Sequence, residues 1–136
     1  MTFLKEKGEF NKSSADLLYK NSYYASSVHC AYYSCFQLLK YIIKVRLKID
    51  YNQQETEIGA NRRLNSHSYV TKKILDEINL HEKDVNTFRE VRTKLKDLQE
   101  LRVKSDYRNL QIDESKGRMA NQYSDELRKY FKEKLL

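Results

Sequence analysis

This chain of 136 residues contains no proline and only three glycines. Proline presets turns and glycine supplies the positive φ that tight turns need. A sequence this poor in both has little with which to build hairpins or long ordered loops. It reads as helices joined by short connections. The length suits one domain over residues 1–136. The expected fold class is all-α, an up-and-down bundle of about five helices.

Hydrophobic spacing places those helices. The first covers residues 3–20, with Phe3, Phe10, Leu17 and Leu18 as its apolar members. Asn21 and Ser22 break it and can cap the next helix. The second covers 23–48. Ala25, Val28, Ala31, Tyr32, Cys35, Phe36, Leu39, Ile42 and Ile43 form a stripe wide enough to touch several neighbours, as a central helix does. Residues 50–65 read as a polar connection. A third helix over 66–79, capped by Ser66, carries Val70, Ile74, Leu75 and Ile78. The fourth covers 82–105. The fifth, over 115–134, shows Met119, Tyr123, Leu127 and Tyr130 at three-four spacing.

On the fourth helix, Phe88, Val91, Leu95 and Leu98 mark the core-facing seam, and the next residue on that line is Arg102. A guanidinium there cannot be buried alone. Either it reaches water at the helix end or it lines a polar pocket. Asp106 stands one turn further on, at the spacing that lets two side chains meet. A structural clamp of Arg102 on Asp106 is one reading. The other makes Arg102, Lys104 and Arg108 a cationic mouth, with Tyr107 stacking on a base or donating to phosphate.

The formal net charge of +7 favours polyanionic partners. Basic clusters stand at Lys40, Lys44 and Lys48, at Arg62 and Arg63, and from Arg102 to Arg108. The lysine row is either a solvated face or one wall of a polyanion groove. Cys30, Cys35, His29, His67 and His81 have no zinc spacing, so neither a metal nor another cofactor is expected. The first nine residues lack the apolar core of a signal peptide, and no apolar run approaches the ~20 residues of a membrane span. A cytoplasmic chain with no membrane partner is expected.

Two segments together resemble one family. The run Leu17-Leu18-Tyr19-Lys20-Asn21-Ser22-Tyr23-Tyr24-Ala25 leads into Ala31-Tyr32-Tyr33-Ser34-Cys35-Phe36, and Leu101-Arg102-Val103-Lys104-Ser105-Asp106-Tyr107 closes the fourth helix. Their order and separation resemble the HEPN domain (higher eukaryotes and prokaryotes nucleotide-binding). Asn65-Ser66-His67-Ser68 stands where some members open a helix with a His-Ser pair. The resemblance implies an all-α bundle that commonly dimerises. It implies a role as a metal-independent endoribonuclease, often a toxin or defence effector, as a partner of a minimal nucleotidyltransferase, or as a nucleotide-binding module.

Arg102 matches the arginine of the nuclease motif. No histidine follows it: Tyr107 stands five residues on, where the motif histidine would fall, and Val103 replaces a polar residue. Metal-independent RNA cleavage needs a proton acceptor and a donor. Tyrosine is a poor base at neutral pH. Around Arg102 the catalytic candidates are Asp106, Tyr107 and His67, the last a capping or surface residue unless the fold brings it to Arg102. Tyr107 could also accept a nucleotidyl group from a partner enzyme. The expected function is therefore an RNA- or nucleotide-binding component of a prokaryotic toxin–antitoxin or defence system. It would be a homodimer, binding through Arg102, Lys104, Tyr107, Arg108, Arg62 and Arg63, and could be partnered with a nucleotidyltransferase. An endoribonuclease toxin and a purely structural interaction module are the alternatives.

Overall fold

A computed structural model describes residues 3–61 and 65–136. Among these residues there are six helices and no strand: α1 (Phe3–Lys20), α2 (Tyr24–Arg46), α3 (Tyr51–Ala60), α4 (Ser66–His81), α5 (Val85–Tyr107) and α6 (Glu114–Leu135). The all-α expectation holds, with one more helix than the hydrophobic pattern indicates. Arg62 and Arg63 lie outside the described residues.

The bundle is organised around α2, which packs against α1, α4, α5 and α6. Its wide stripe explains this. Val28, Ala31, Cys35, Leu38, Leu39, Ile42 and Ile43 are all buried, and no single neighbour could cover so broad a face. On α5 the seam Val91, Leu95, Leu98 and Leu101 is buried as its spacing predicts. Leu127 and Phe131 of α6 close the core.

α3 is the helix missed in the 50–65 connection. Asp50 caps it, accepting from the backbone N–H of Gln53 at 2.8 Å. Its one buried residue is Gln54, whose amide donates to the Ile49 carbonyl at 2.9 Å. A helix anchored by a buried amide leaves no apolar periodicity to read. The caps also differ from expectation. Asn65, not Ser66, caps α4 by accepting from Ser68 N–H. Ser22 adopts a left-handed φ of 64°, and Asn21 donates back to Leu17, closing α1 rather than capping α2. α5 begins at Val85, capped by Asp84.

The largest departure is the orientation of α1. It buries Gly8 and Ala15, while of its apolar members Phe3, Phe10 and Leu17 are exposed and Leu18 is half-buried. Close packing on α2 dictates this. A Cβ on Gly8 would lie 3.2 Å from the Ser34 carbonyl oxygen, so only a small residue allows the approach. Phe3, Phe10 and Leu17 are left on the opposite face.

Candidate functional site

Two helices, α2 and α5, converge on the guanidinium of Arg102. α5 delivers it at the end of the apolar seam, where it is only 4% exposed. From α2, Tyr32 and Tyr33 place their rings 5.0 and 5.8 Å from its centre, and Tyr107 stands 5.6 Å away at the end of α5. Cation–π attraction to three rings offsets part of the cost of burial. The ionic pairing is loose: Nη1 is 3.8 Å from Asp106, and Nε has no hydrogen-bond partner. The expected Arg102–Asp106 contact is present, but the carboxylate makes its close bonds elsewhere.

Those bonds go to His29, one turn before Tyr33 on α2. Its Nδ1 lies 3.0 and 2.9 Å from the two Asp106 oxygens. His29 carries no zinc-like spacing and stands between Val28 and Cys30, away from the α5 segment that holds Arg102, so no motif marks it. The available signal was its place on the face of Tyr32, Tyr33 and Phe36, at helical spacing. Its pairing with Asp106 joins residues far apart in sequence and becomes visible only in the folded chain.

His67 is neither a cap nor a free surface residue. α4 opens beside α2 and sets the imidazole against Phe36, with ring centres 4.8 Å apart and Nδ1 at 2.6 Å from the Tyr32 hydroxyl. Burial, and then the nearby charge of Arg102, hold its pKa below the ordinary histidine value. Burial pushes the Tyr32 phenol upward, against the opposing pull of Arg102. Perturbed groups gathered at a buried charge are a physical mark of a functional site.

The cluster opens into a groove of about 480 Å³ between the first turns of α2 and the last turn of α5, with walls including Ser26, His29, Cys30, Asp106 and Tyr107. Ser105 Oγ donates to the Ala25 carbonyl at 2.7 Å and ties the two helix ends together. Tyr107 is 74% exposed at its rim. Burial, then the Asp106 charge, raises the Cys30 thiol. Lys104 and Arg108 line a separate depression of about 430 Å³ with Lys96 and Glu100. The structure therefore brings Arg102, Asp106, Tyr107 and His67 together, adds His29, Tyr32 and Tyr33, and leaves Lys104 and Arg108 on an adjoining surface.

No described helix is long and apolar enough to cross a membrane. Comparison of the chain with protein-family models, curated proteins and solved structures gave no match.

Proposed function

We propose that this chain is a HEPN-like RNA-binding domain in which Arg102 anchors a backbone phosphate at the mouth of the α2–α5 groove. The observation that carries this reading is a cation 4% exposed whose carboxylate, Asp106, stands back at 3.8 Å and whose Nε has no acceptor among the described residues. A structural arginine would bring its carboxylate to hydrogen-bond distance and satisfy Nε. The rings of Tyr32, Tyr33 and Tyr107 hold the charge in place, and a phosphate supplies the missing acceptor. Tyr107 at the rim offers a stacking face to a base. The wider setting we propose is a prokaryotic toxin–antitoxin or defence system, with a nucleotidyltransferase as the protein partner.

The test is a titration of short single-stranded RNA at two salt concentrations. Binding that weakens with salt, and weakens further in Arg102→Ala than in Lys134→Ala, supports the site. Equal losses in the two variants reduce the affinity to diffuse charge attraction. No binding at all would leave a purely structural interaction module.

A homodimer belongs to the same reading. Phe3, Phe10 and Leu17 are exposed at equal spacing about Phe10, so two-fold antiparallel pairing gives each an apolar counterpart. Sedimentation showing only monomer at high micromolar protein rejects it.

The approach of His67 to the arginine favours a second reading, a metal-independent endoribonuclease. It stands if RNA is cut in the absence of divalent metal and Arg102→Ala abolishes the cut.

A further inference from the structure

We propose that His29, held by Asp106, is the proton-accepting catalytic residue of the Arg102 centre, acting on the 2′-hydroxyl of an RNA strand laid in the α2–α5 groove. The inference rests on the endoribonuclease reading and supplies the base that α5 lacks.

The tautomer decides the role. An ionised carboxylate only accepts hydrogen bonds, so the ring nitrogen bonded to Asp106 carries the proton. That nitrogen is Nδ1, at 2.9 and 3.0 Å from the two oxygens. In the neutral ring Nε2 is then a free lone pair. The carboxylate fixes the ring and stabilises the imidazolium once the proton arrives, the same logic by which an aspartate supports a histidine base in acyl transfer. The side chain of His29 is 47% exposed on the groove wall, so Nε2 is accessible to a bound strand. The groove volume of about 480 Å³ falls in the range of small-molecule sites and can hold a nucleotide. Arg102 Nη1, 3.8 Å from the same carboxylate, puts positive charge beside the base.

The same reasoning removes His67 from that role. Its Nδ1 is engaged by the Tyr32 hydroxyl at 2.6 Å, and burial keeps that phenol protonated and donating. Neutral His67 therefore carries its proton on Nε2 and can only donate. Both imidazoles border the ring of Tyr33, at 4.7 Å for His29 and 6.1 Å for His67.

The step balances without a co-reactant other than water. The 2′-hydroxyl proton passes to His29 Nε2 while the 2′-oxygen bonds to phosphorus. The bond from phosphorus to the 5′-oxygen breaks, and that oxygen takes a proton from water in the open groove. The products are a 2′,3′-cyclic phosphate and a 5′-hydroxyl, and His29 returns its proton to solvent. Arg102 stabilises charge on the non-bridging oxygens. The titratable and charged groups facing His29 are Asp106, Arg102 and Tyr107 from α5, Cys30 and Tyr33 from α2, and His67 from α4 across Tyr33.

The experiment uses the full chain, a mixed-sequence single-stranded RNA oligonucleotide and its 2′-O-methyl counterpart, in chelator. Expected are cyclic-phosphate products from the RNA, binding without cleavage of the 2′-O-methyl strand, and a rate that rises with pH to a plateau. His29→Ala should lower the rate by roughly 100-fold or more, with RNA affinity held within about threefold. Added imidazole should restore part of the rate, which a structural role would not allow. Asp106→Asn should cost roughly 10- to 100-fold and alter the pH profile. If His29→Ala melts early, His29→Gln keeps an N–H for Asp106 but no comparable base, and should show the same loss. RNA bound in an Arg102-dependent way but never cut, or cut equally well by the His29 variants, overturns the proposal and leaves the binding reading standing. RNA neither bound nor cut overturns both.

Discussion

Among the described residues two arginines are buried to nearly the same degree, Arg102 at 4% and Arg128 at 5% exposure, and they are handled in opposite ways. Arg128 of α6 is bonded through both terminal nitrogens. Its Nη1 donates to the Ser34 carbonyl at 2.8 Å and its Nη2 to Glu9 at 2.7 Å, a contact that links α6 to both α2 and α1. Lys132 reinforces it on the same carboxylate, and the Glu9 pKa is lowered although burial opposes the shift. Arg102 has no such partner. It rests against three tyrosine rings with its nearest carboxylate at 3.8 Å and Nε without an acceptor. Equal burial thus has two meanings. One guanidinium is consumed by the fold; under the proposed function the other is kept for a phosphate. Burial alone does not distinguish the two arginines; the closeness of the counter-charge does.

Four measurements sharpen or break that contrast. The largest effect is expected at the apolar seam that leads to Arg102. Leu95→Ala should lower stability by about 2–5 kcal/mol by chemical denaturation, the cost of a buried leucine. A loss below ~0.5 kcal/mol would mean that the seam does not anchor α5.

Arg128→Ala comes next, at about 2–3 kcal/mol, because the variant loses hydrogen bonds to a charged donor and leaves the Ser34 carbonyl unsatisfied. An Arg128→Ala variant as stable as the wild type would erase the distinction between the arginines. Arg102→Ala should cost less, about 1 kcal/mol, since it removes loose pairing and cation–π contact. A larger loss than that of Arg128→Ala would make Arg102 the structural residue.

The smallest effect is a dependence on pH. The pKa of His67 is lower in the folded chain than its ordinary value near 6.5, so the unfolded chain binds more protons at mildly acidic pH. Stability attached to this group is complete above the unfolded value and is lost as pH falls below it. Melting curves of wild type and His67→Ala should therefore converge on acidification below about pH 6.5. Parallel curves would remove the burial of His67 from the account.

Much of this was legible before folding, and for identifiable reasons. α2 and α5 bury long apolar stripes, and a stripe is what periodicity detects. Arg102 announced itself by interrupting one. α3 did not, because its anchor is the Gln54 amide rather than an apolar side chain. α1 misled because its core face is Gly8 and Ala15, whose smallness permits close packing on α2, while Phe3, Phe10 and Leu17 point away. The site was half legible. Asp106 and Tyr107 follow Arg102 at helical spacing. His67 could be named but not placed, and His29 joins only through a contact between α2 and α5.

The most direct test of the central claim measures two quantities on the same two variants, stability by denaturation and affinity for single-stranded RNA at fixed low salt. Arg102→Ala should lose roughly tenfold or more in affinity, about 1.4 kcal/mol, for a modest loss of stability. Arg128→Ala should lose the greater stability while, under conditions where it stays folded, binding RNA within about twofold of wild type. If the two variants lose affinity equally, or if Arg128→Ala loses more, Arg102 is not a reserved cation and the proposed site is contradicted.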